Sequence, residues 1–330
     1  MYNMRTPSVL LAGAALEAKE TNDMTKVFID GGAGTTGLNI VSRLSQRGDV
    51  QLIQLPEETR KDPAARKDAL NAADMAFLCL PDDAAREAAA MVENDHTAII
   101  DTSTAHRVAP DWVYGFPELQ GQREKIRAGK RIANPGCHAS GFISLVAPLV
   151  QNQAIAPDAA LTCFSLTGYS GGGKKMIAEY EGGNRNPLLD APRQYGLSQS
   201  HKHLPEMKAL CGLDIAPIFC PIVAPYYAGM EVTVPLFAGQ AKVSMEEIKA
   251  IYKAYYAQGV VHFVEETSEG NFLSANAFAG RDDMEITVSG NEERILLTAR
   301  FDNLGKGACG AAIQNMNLLI GADEFTGLVV

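Results

Sequence analysis

A glycine-rich loop between an apolar strand and a helix constrains this chain more than any other feature. Gly31, Gly34 and Gly37 form a G-x-x-G-x-x-G pattern directly after the apolar run Lys26–Asp30, and apolar residues recur at helical spacing from Leu38 onward. Glycine lets the backbone approach a pyrophosphate closely, and the helix N-terminus that follows offers amide donors and a favourable dipole. The context of strand, loop and helix therefore predicts a dinucleotide-binding loop rather than a plain tight turn.

Strands and helices alternate in the first part of the chain, which predicts βαβ units, a parallel sheet and an α/β fold. The predicted elements of this part are strands over Lys26–Asp30, Val50–Leu55, Met75–Leu80 and Thr97–Asp101 and a helix over Ala84–Val92. After Cys137 strands outnumber helices, which predicts an α+β half with a larger mixed sheet. Its predicted strands are Ala160–Thr167, Ile218–Val223, Gly229–Phe237, Val260–Val264, Met284–Ser289 and Arg294–Phe301, and its predicted helices are His138–Gln151, Val243–Ala257 and Gly310–Ile320.

The composition fits a two-domain globular protein and argues against nucleic acid or membrane partners. The chain has 330 residues, 46% of them hydrophobic, and a formal net charge of −10. An acidic chain without a basic run is a poor candidate for binding nucleic acid or anionic membrane, so an anionic substrate would need a local cluster of Arg, Lys or amides. No apolar run reaches the length of a membrane span. We therefore expect a cytoplasmic protein with a small-molecule substrate.

The six cysteines show neither a C-x-x-C pair nor a Cys/His metal pattern, so we expect free thiols and no metal site. Residues 1–25 precede the first strand. They resemble a secretory signal only loosely, because their apolar stretch Val9–Leu16 is short and a nucleotide-binding loop follows soon after it. We interpret them as an extension without an assigned role, and Met24 as a candidate natural start.

Cys137 is the leading candidate for a nucleophile. The turn Pro135-Gly136 delivers it to the first turn of the apolar helix predicted after it. Free amides and the dipole at a helix start stabilise a thiolate, so the sequence predicts a lowered thiol pKa. The other cysteines lie in or beside apolar stretches and are interpreted as small buried hydrophobic residues. They are Cys79, Cys163, Cys211, Cys220 and Cys309.

Two histidines supply the candidate acid and base. His201 and His203 are two residues apart, so in an extended segment both side chains face the same way. Glu206 follows at a predicted helix start, where its carboxylate could orient an imidazole. We predict that His203 is the acid/base and that His201 is its neighbour or a substrate contact, with the reverse assignment left open.

The loop after the second strand leaves the cofactor open between NAD and NADP. Glu57 or Glu58 could bind a ribose 2′-hydroxyl, which favours NAD. Arg60 and Lys61 could instead bind a 2′-phosphate, which favours NADP. The residues alone do not choose between the two cofactors.

Six sequence blocks together resemble the N-acetyl-γ-glutamyl-phosphate reductase family, in particular its short-form subfamily. They occur in the family's order, and the resemblance runs from about Lys26 to near the C-terminus. The extension before Met24 departs from the family pattern. The blocks are D-T-S-T-A-H-R at 101–107, G-F-P-E-L at 115–119, N-P-G-C at 134–137, G-Y-S-G-G-G-K at 168–174, H-K-H-L-P-E at 201–206 and N-L-G-K-G-A-C-G at 303–310.

The resemblance implies a Rossmann NAD(P)-binding domain at 26–136 and a glyceraldehyde-3-phosphate-dehydrogenase-like α+β catalytic domain at 137–304. A C-terminal helix within 305–330 is expected to return to the first domain. The resemblance further implies NADP as the cofactor, N-acetyl-γ-glutamyl phosphate as the substrate in arginine biosynthesis, a thioester on Cys137 as the intermediate, and a homo-oligomer, either a dimer or a tetramer.

The remaining site residues come from the glycine loop and the matched blocks. Arg107 closes a loop rich in Ser and Thr after a strand, a place suited to hold phosphate. The expected substrate contacts are Ser103, Arg107 and Lys174. The expected cofactor contacts are Gly31, Gly34, Thr35, Thr36, Gly37, Arg60, Lys61 and Gly171.

Three other functions compete with this interpretation. The nearest is a related reductase acting on aspartyl phosphate or on an aminoadipyl phosphate held by a carrier. A second is a cysteine hydrolase that pairs Cys137 with His203, although a hydrolase has no use for a dinucleotide loop. The third is a non-enzymatic NADP-binding sensor, which would need an inert thiol.

Overall fold

The computed structural model describes residues 24–330, so the predicted extension, 1–25, lies outside the described residues except for its last two. The first domain is built on six strands: β1 Thr25–Asp30, β2 Val50–Ile53, β3 Met75–Leu78, β4 Ala98–Asp101, β5 Val113–Tyr114 and β6 Arg131–Ala133. They form one sheet in the order β2-β1-β3-β4-β6-β5, and every neighbouring pair is parallel.

Helices cover both faces of this sheet. They are α1 Thr35–Leu44, α2 Pro63–Ala72, α3 Asp82–Ala90 and α4 Gln122–Ala128. Ile40 of α1 and Ile126 of α4 belong to the same apolar cluster as Phe77 of β3. The next strand residue, Leu78, packs with Leu70 of α2 in the cluster on the opposite face. Consecutive residues of a strand alternate between faces, so β3 is buried on both sides, as expected for a parallel sheet.

The second domain combines a seven-stranded mixed sheet with four helices. Its helices are α5 Cys137–Gln151, α6 Gly173–Glu181, α7 Leu204–Cys211 and α8 Met245–Tyr255. Its strands are β7 Thr162–Gly168, β8 Arg193–Gln194, β9 Ile218–Ala224, β10 Met230–Phe237, β11 Val261–Phe263, β12 Met284–Gly290 and β13 Arg294–Phe301. The strand order is β11-β12-β13-β10-β7-β9-β8.

Helix α5 lies in the centre of the second domain. Every residue from His138 to Leu149 is buried, and a helix that is apolar all round is a core helix. Phe142 and Leu145 share a cluster with Val232 of β10 and Phe301 of β13. This packing fixes the start of α5, and hence Cys137, relative to the sheet.

The other face of the mixed sheet carries a group of exposed apolar side chains among residues 24–330, next to buried polar side chains such as Thr298. Phe164 of β7 pairs in register with Thr233 of β10, which in turn pairs with Thr298 of β13, so these side chains share one face. Phe164, Ile218 and Leu296 on that face are 40%, 61% and 42% exposed. We call this surface the outer sheet face and define it by five apolar residues that are partly or largely exposed: Phe164, Ile218, Cys220, Pro235 and Leu296.

The last helix, α9 Gly310–Ile320, belongs to the core of the first domain. A π-helical turn at Gly305–Cys309 leads from β13 into α9. Ile313 and Met316 of α9 then pack in the cluster that holds Ile40 of α1. The Rossmann domain is therefore completed by residues from the far end of the chain.

The C-terminal segment also ties the two domains together through α1. Arg43 of α1 donates hydrogen bonds to Asp282 at 3.0 Å and to the carbonyl of Gly327 at 2.8 Å. Asp282 in turn accepts from the amide of Val329 at 2.8 Å. The helix that follows the glycine loop is thus held by residues on both sides of the domain boundary.

The predicted fold class is confirmed: a Rossmann domain is followed by an α+β domain with a larger mixed sheet. The sequence did not predict helices α2, α4 and α6. It also did not predict strands β5, β6 and β8, because strands of two or three residues show too little apolar periodicity to detect. Among the helices of residues 24–330, none is long and apolar enough to span a membrane.

Candidate active site

The glycine loop has the geometry of a phosphate cradle. Gly31 has φ +82°, and a Cβ there would lie 2.2 Å from the carbonyl oxygen of Cys79, so only glycine fits. Gly34 caps α1 without a side-chain hydrogen bond, which leaves the first amides of the helix free. The hydroxyl of Thr35 is buried without a partner in the described structure. An uncapped helix start beside an unsatisfied hydroxyl fits a bound phosphate group.

A cavity of about 520 Å³ runs from this loop to the end of β2. Arg60 and Lys61 line it, as does Glu57, which pairs with Arg60 at 2.6 Å. Asp30 on the same wall is neutralised by Arg66, whose guanidinium donates to it at 2.8 Å. The space fits the nucleoside end of a dinucleotide. Its wall includes both the acid, Glu57, and the cations, Arg60 and Lys61, that the sequence analysis named as candidate contacts to the ribose or its phosphate.

A second cavity of about 390 Å³, the active-site cavity, begins at the same loop and ends at the start of α5. Seven of the fifteen predicted site residues meet on its wall, although they come from both domains. Those brought together are Thr35, Thr36, Arg107, Cys137, Gly171, His201 and His203. The two cavities together would place a cofactor's pyrophosphate at the loop and its reactive end near the thiol.

Four helices begin at the wall of the active-site cavity: α1, α5, α6 and α7. Helix N-termini carry partial positive charge and free amides. Among the described residues that line the cavity there is no Asp or Glu, whereas Arg107 and Lys202 are cationic. This local field gives an anionic substrate a favourable site in a chain whose net charge is −10.

The thiol of Cys137 differs from the sequence expectation. Gly136 caps α5 with extended backbone and no side-chain bond, so the helix start is as predicted. Burial nevertheless raises the pKa of Cys137 to about 11, although Arg107 and the amide of His138 act to lower it. The predicted lowering of the thiol pKa is therefore wrong for the protein without substrate, because desolvation outweighs the helix start and the nearby cation.

Glu206 holds the backbone in front of Cys137. Its carboxylate accepts hydrogen bonds from Arg107 at 2.7 Å, from the hydroxyl of Tyr114 at 2.8 Å and from the amide of Gly136 at 3.2 Å. The predicted bond to an imidazole is absent, since Nε2 of His203 lies 4.0 Å from the carboxylate. A Cβ on Gly136 would lie within 2.6 Å of Arg107, His203 and Glu206, so any side chain at this position would displace these three groups.

Three imidazoles cluster beside the thiol. The ring centroids of His201 and His203 are 4.7 Å apart, and that of His138 lies 5.8 and 5.6 Å from them. Burial lowers the pKa of His203 well below its ordinary value, with Arg107 adding to the effect. His203 is therefore neutral at pH 7, and its Nδ1 is buried without a partner. The neutral ring has a nitrogen lone pair that can accept a proton, but its lowered pKa makes it a weak base until a bound anion offsets the burial and the charge of Arg107.

His138 and His201 differ from His203 in their bonding. His138 is held between the hydroxyls of Ser165 and Tyr195, each at 2.7 Å from one ring nitrogen. Burial lowers its pKa to about 3. His201 accepts a hydrogen bond on Nδ1 from the backbone amide of His203 at 3.2 Å, and it remains half-exposed. Within residues 24–330, no hydrogen bond joins the sulfur of Cys137 to any of the three rings.

The loop that carries these histidines is anchored by Gln199. Its side-chain amide donates to the carbonyl of Phe219 at 2.7 Å and accepts from the amide of the same residue at 2.9 Å. Gln199 has φ +53°, an uncommon backbone conformation for a residue other than glycine. The ring of Phe219 in turn contacts His138 and His201 with centroid distances of 5.2 and 5.1 Å.

Two predicted substrate contacts do not reach the cavity. Ser103 is buried, and its hydroxyl donates to Asp101 at 2.7 Å, so it is occupied within its own loop. Lys174 lies exposed on the first turn of α6, away from the cavity wall. Membership of a matched block did not reveal which side chain of the block faces the site.

Sequence reasoning missed several residues of the cavity wall. Some lie inside recognised blocks, where the block was noted but the residue was not chosen, and Tyr195 lies in a loop that carries no motif. The missed residues are Thr102, Asn134, His138, Tyr195, Lys202 and Asn303.

Two family models match the two halves of the chain. Residues 26–128 match "Semialdehyde dehydrogenase, NAD binding domain", and residues 137–303 match "Semialdehyde dehydrogenase, dimerisation domain". The fold and site thus define a semialdehyde dehydrogenase-type oxidoreductase whose first domain takes a nicotinamide cofactor and whose second domain is of an oligomer-forming type.

Curated relatives narrow the class. The chain is 46% identical over 306 residues to the N-acetyl-gamma-glutamyl-phosphate reductase of Brucella ovis, which covers 90% of this chain and 99% of the relative. It is 46% identical over 307 residues to the enzyme of the same name from Sinorhizobium medicae, with the same coverage. The chain belongs to the N-acetyl-γ-glutamyl-phosphate reductase family, and the family resemblance stated from the sequence is confirmed.

Solved structures share the fold at low sequence identity. Aspartate semialdehyde dehydrogenase II of Vibrio cholerae, complexed with ASA, superposes with a TM-score of 0.70 at 16% identity and covers 91% of this chain and 99% of that one. Aspartate semialdehyde dehydrogenase of Candida albicans, solved with NADP, gives a TM-score of 0.64 at 16% identity over 90% and 99% of the two chains.

Proposed function

We propose that this chain uses NADPH to reduce N-acetyl-γ-glutamyl phosphate to N-acetyl-L-glutamate 5-semialdehyde in arginine biosynthesis, through a thioester on Cys137. One observation carries the proposal. Cys137, the one cysteine among the described residues that line the active-site cavity, stands at a helix start. The cavity continues to the uncapped glycine loop and is lined by cations but by no described acid. The names of the 46% identical relatives supply the substrate.

The first half of the reaction forms the thioester. His203 accepts the proton of the Cys137 thiol as the sulfur attacks the acyl carbon. The oxyanion that develops is held by the free amides of Cys137 and His138 at the start of α5. The bond to phosphate then breaks, and the proton held by His203 leaves with the phosphate. Because burial disfavours a free thiolate, proton transfer and attack are coupled.

The second half releases the aldehyde. Bound NADPH would supply the hydride that reduces the thioester. The resulting oxyanion collapses to the aldehyde as the carbon–sulfur bond breaks. The departing sulfur takes up a proton that enters from solvent through an imidazole, because the thiol's own proton has left with the phosphate. Glu206 keeps the peptide of Gly136 fixed through both halves, so the sulfur stays aligned with the amides that hold the oxyanion.

We propose NADP as the cofactor in preference to NAD because of two cations in the cavity at the end of β2. Arg60 and Lys61 on its wall would hold the 2′-phosphate, and Gly31, Gly34, Thr35, Thr36 and Gly37 would hold the pyrophosphate. Gly171 lies where the nicotinamide end of the cofactor would reach the active-site cavity. Glu57, paired with Arg60, would become free to turn away when the phosphate binds.

The assembly is proposed to be a homodimer, or a tetramer built from such dimers, formed through the outer sheet face. That surface spans adjacent strands of the domain matched by the dimerisation model. Its exposed Phe164, Ile218 and Leu296 are the kind of apolar patch that an obligate interface buries. We also assign the reaction to the cytoplasm, because all six cysteines are free thiols, which suits a reducing compartment.

The reverse reaction tests the function directly. N-acetylglutamate semialdehyde, inorganic phosphate and NADP should give NADPH, followed by its absorbance. Aspartate semialdehyde in place of the first substrate should give a kcat/KM lower by several orders of magnitude. Equal turnover of the two aldehydes, or turnover of aspartate semialdehyde alone, would reject the proposed substrate.

A further inference from the structure

The active-site cavity is lined by cations to which the reaction scheme gives no role. Two cationic side chains line it, Arg107 and Lys202. The guanidinium of Arg107 is buried and donates to Glu206 at 2.7 Å, to the carbonyl of Asn134 at 3.0 Å and to that of Thr102 at 3.2 Å. Its charge is thus compensated by a buried carboxylate. Arg107 therefore serves mainly to hold Glu206 and the neighbouring backbone in place, and contributes less to attracting an anion.

Lys202 has the opposite environment. It is exposed, and none of the ion pairs among residues 24–330 includes it. Its charge is felt by Asp82 of the first domain: burial opposes ionisation of Asp82, while hydrogen bonds from Thr104 and the charge of Lys202 lower the pKa of this carboxyl. Lys202 therefore faces the boundary between the domains with its charge uncompensated by direct contact.

The position of Lys202 in the sequence places its side chain at the active-site cavity. It lies between His201 and His203, immediately before α7, and all three residues line the cavity. The Gln199 anchor holds this loop on β9. A long, flexible ammonium beside the two imidazoles can meet an anionic group of a molecule whose reacting carbon lies at Cys137.

We propose that the ammonium of Lys202 binds an anionic oxygen group of the substrate, either the phosphate or the carboxylate, and so replaces Arg107 and Lys174 as the principal cationic substrate contact. The inference rests on the proposed function. It accounts for how a chain with a net charge of −10 concentrates a multiply charged anion in this cavity.

The reverse reaction separates the two anionic groups onto two molecules, inorganic phosphate and the semialdehyde with its carboxylate. Lys202→Gln should raise the KM for one of them roughly tenfold to a hundredfold, as expected for loss of a hydrogen bond to a charged group, with kcat changed less than about threefold. Lys202→Arg should restore most of the loss. Lys208→Gln removes an exposed charge from the last turn of α7, off the cavity wall, and should match the wild type.

Each outcome decides the matter. A raised KM for phosphate assigns Lys202 to the phosphate, and a raised KM for the semialdehyde assigns it to the carboxylate. Two unchanged KM values, or a fall in kcat alone, would overturn the inference. So would a Lys208→Gln variant that behaves like Lys202→Gln, because the effect would then be one of net charge.

A second measurement separates this inference from the proposed function. If the wild type turns over neither aldehyde, the function is wrong, but anion binding can still be measured without turnover. Inorganic phosphate and N-acetylglutamate are each tested for protection of Cys137 against iodoacetamide. Weaker protection by either anion in Lys202→Gln supports the inference, whereas equal protection, or no protection of the wild type by either anion, overturns it.

Discussion

The carboxylate of Glu206 accepts a hydrogen bond at 3.2 Å from the amide of Gly136, the residue immediately before Cys137. The same carboxylate is neutralised by Arg107, and both side chains are almost completely buried. A buried ion pair of this kind costs much of its own attraction in desolvation, so its value lies in geometry more than in stability. Here the geometry is the position of the peptide that leads into Cys137.

Breaking this pair from one side should destabilise the protein. Glu206→Gln and Arg107→Met should each lower the free energy of unfolding by about 3–5 kcal/mol, because each leaves a buried polar or charged group uncompensated. The double variant should lose less than the sum of the two. Urea unfolding of the four proteins measures the coupling. Strictly additive losses would show that the two side chains act independently.

Cys137→Ser should abolish turnover and leave nicotinamide cofactor binding nearly unchanged, because a serine hydroxyl is a far weaker nucleophile at neutral pH. Cofactor binding is read from fluorescence and turnover from absorbance. Retained turnover in the serine variant would remove the covalent intermediate from the mechanism.

The raised pKa of Cys137 gives a pH test. With a pKa of about 11, the free enzyme holds about one thiolate in ten thousand at pH 7. Its alkylation by iodoacetamide should therefore quicken about tenfold for each pH unit between 7 and 10. Peptide mapping separates Cys137 from the other thiols. If the alkylation rate of Cys137 has already reached its plateau at pH 7, the thiol pKa is low, as expected from the helix start.

The two histidines should separate kinetically. His203→Asn should lower kcat roughly a hundredfold to ten-thousandfold, because it removes the buried neutral base. His201→Asn should mainly raise KM, since His201 is half-exposed and its Nδ1 is already used by the backbone. Steady-state kinetics in the reverse direction measure both. If His201→Asn is the variant that loses kcat, the acid/base role belongs to His201.

Cofactor choice should depend on Arg60 and Lys61. Replacing both with Ala should weaken NADPH binding at least tenfold and leave NADH binding within about twofold, because only NADPH carries the 2′-phosphate. Glu57→Gln frees Arg60 from its ion pair and should act in the opposite direction. Fluorescence titration measures the affinity of the wild type and of both variants for each cofactor. Equal losses of affinity for NADPH and NADH in the double variant would show that Arg60 and Lys61 do not contact the 2′-phosphate.

The outer sheet face should govern assembly. Phe164→Asp places a charge at the centre of the face and should convert the oligomer to smaller species in sedimentation. Phe325→Asp is a matched control, since the two rings are 40% and 41% exposed and Phe325 lies in the C-terminal segment. Alkylation of Cys220 on the same face should become faster in Phe164→Asp. Unchanged mass in that variant would exclude this surface as the interface.

The parts of the site that were predictable are local in sequence. The glycine loop and the turn that presents Cys137 each lie within one strand–turn–helix unit, so spacing alone identified them. The contacts of Glu206 are not local: Arg107 and Tyr114 are 99 and 92 residues away along the chain. No periodicity encodes which distant side chain will share a buried carboxylate, and the sequence therefore assigned Glu206 to a neighbouring imidazole instead.

Burial was the other quantity that the sequence could not supply. The helix-start rule for Cys137 was sound locally, but the direction of the pKa shift depends on how completely the surrounding domain desolvates the sulfur. The same limit applies to Ser103 and Lys174. Both belong to recognised blocks, but the Ser103 hydroxyl is bonded to Asp101, and Lys174 is not among the residues that line the cavity.

Because Ile313 and Met316 of α9 complete the apolar core that begins with Val27 of β1, the Rossmann domain is not a continuous stretch of chain. During synthesis a domain generally folds once its residues have left the ribosome. Here the nucleotide domain is translated first, yet its core cannot close until almost the last residues emerge. The second domain, whose core lies within residues 114–301, can reach its native packing earlier. The order of folding is therefore expected to be the reverse of the order of translation.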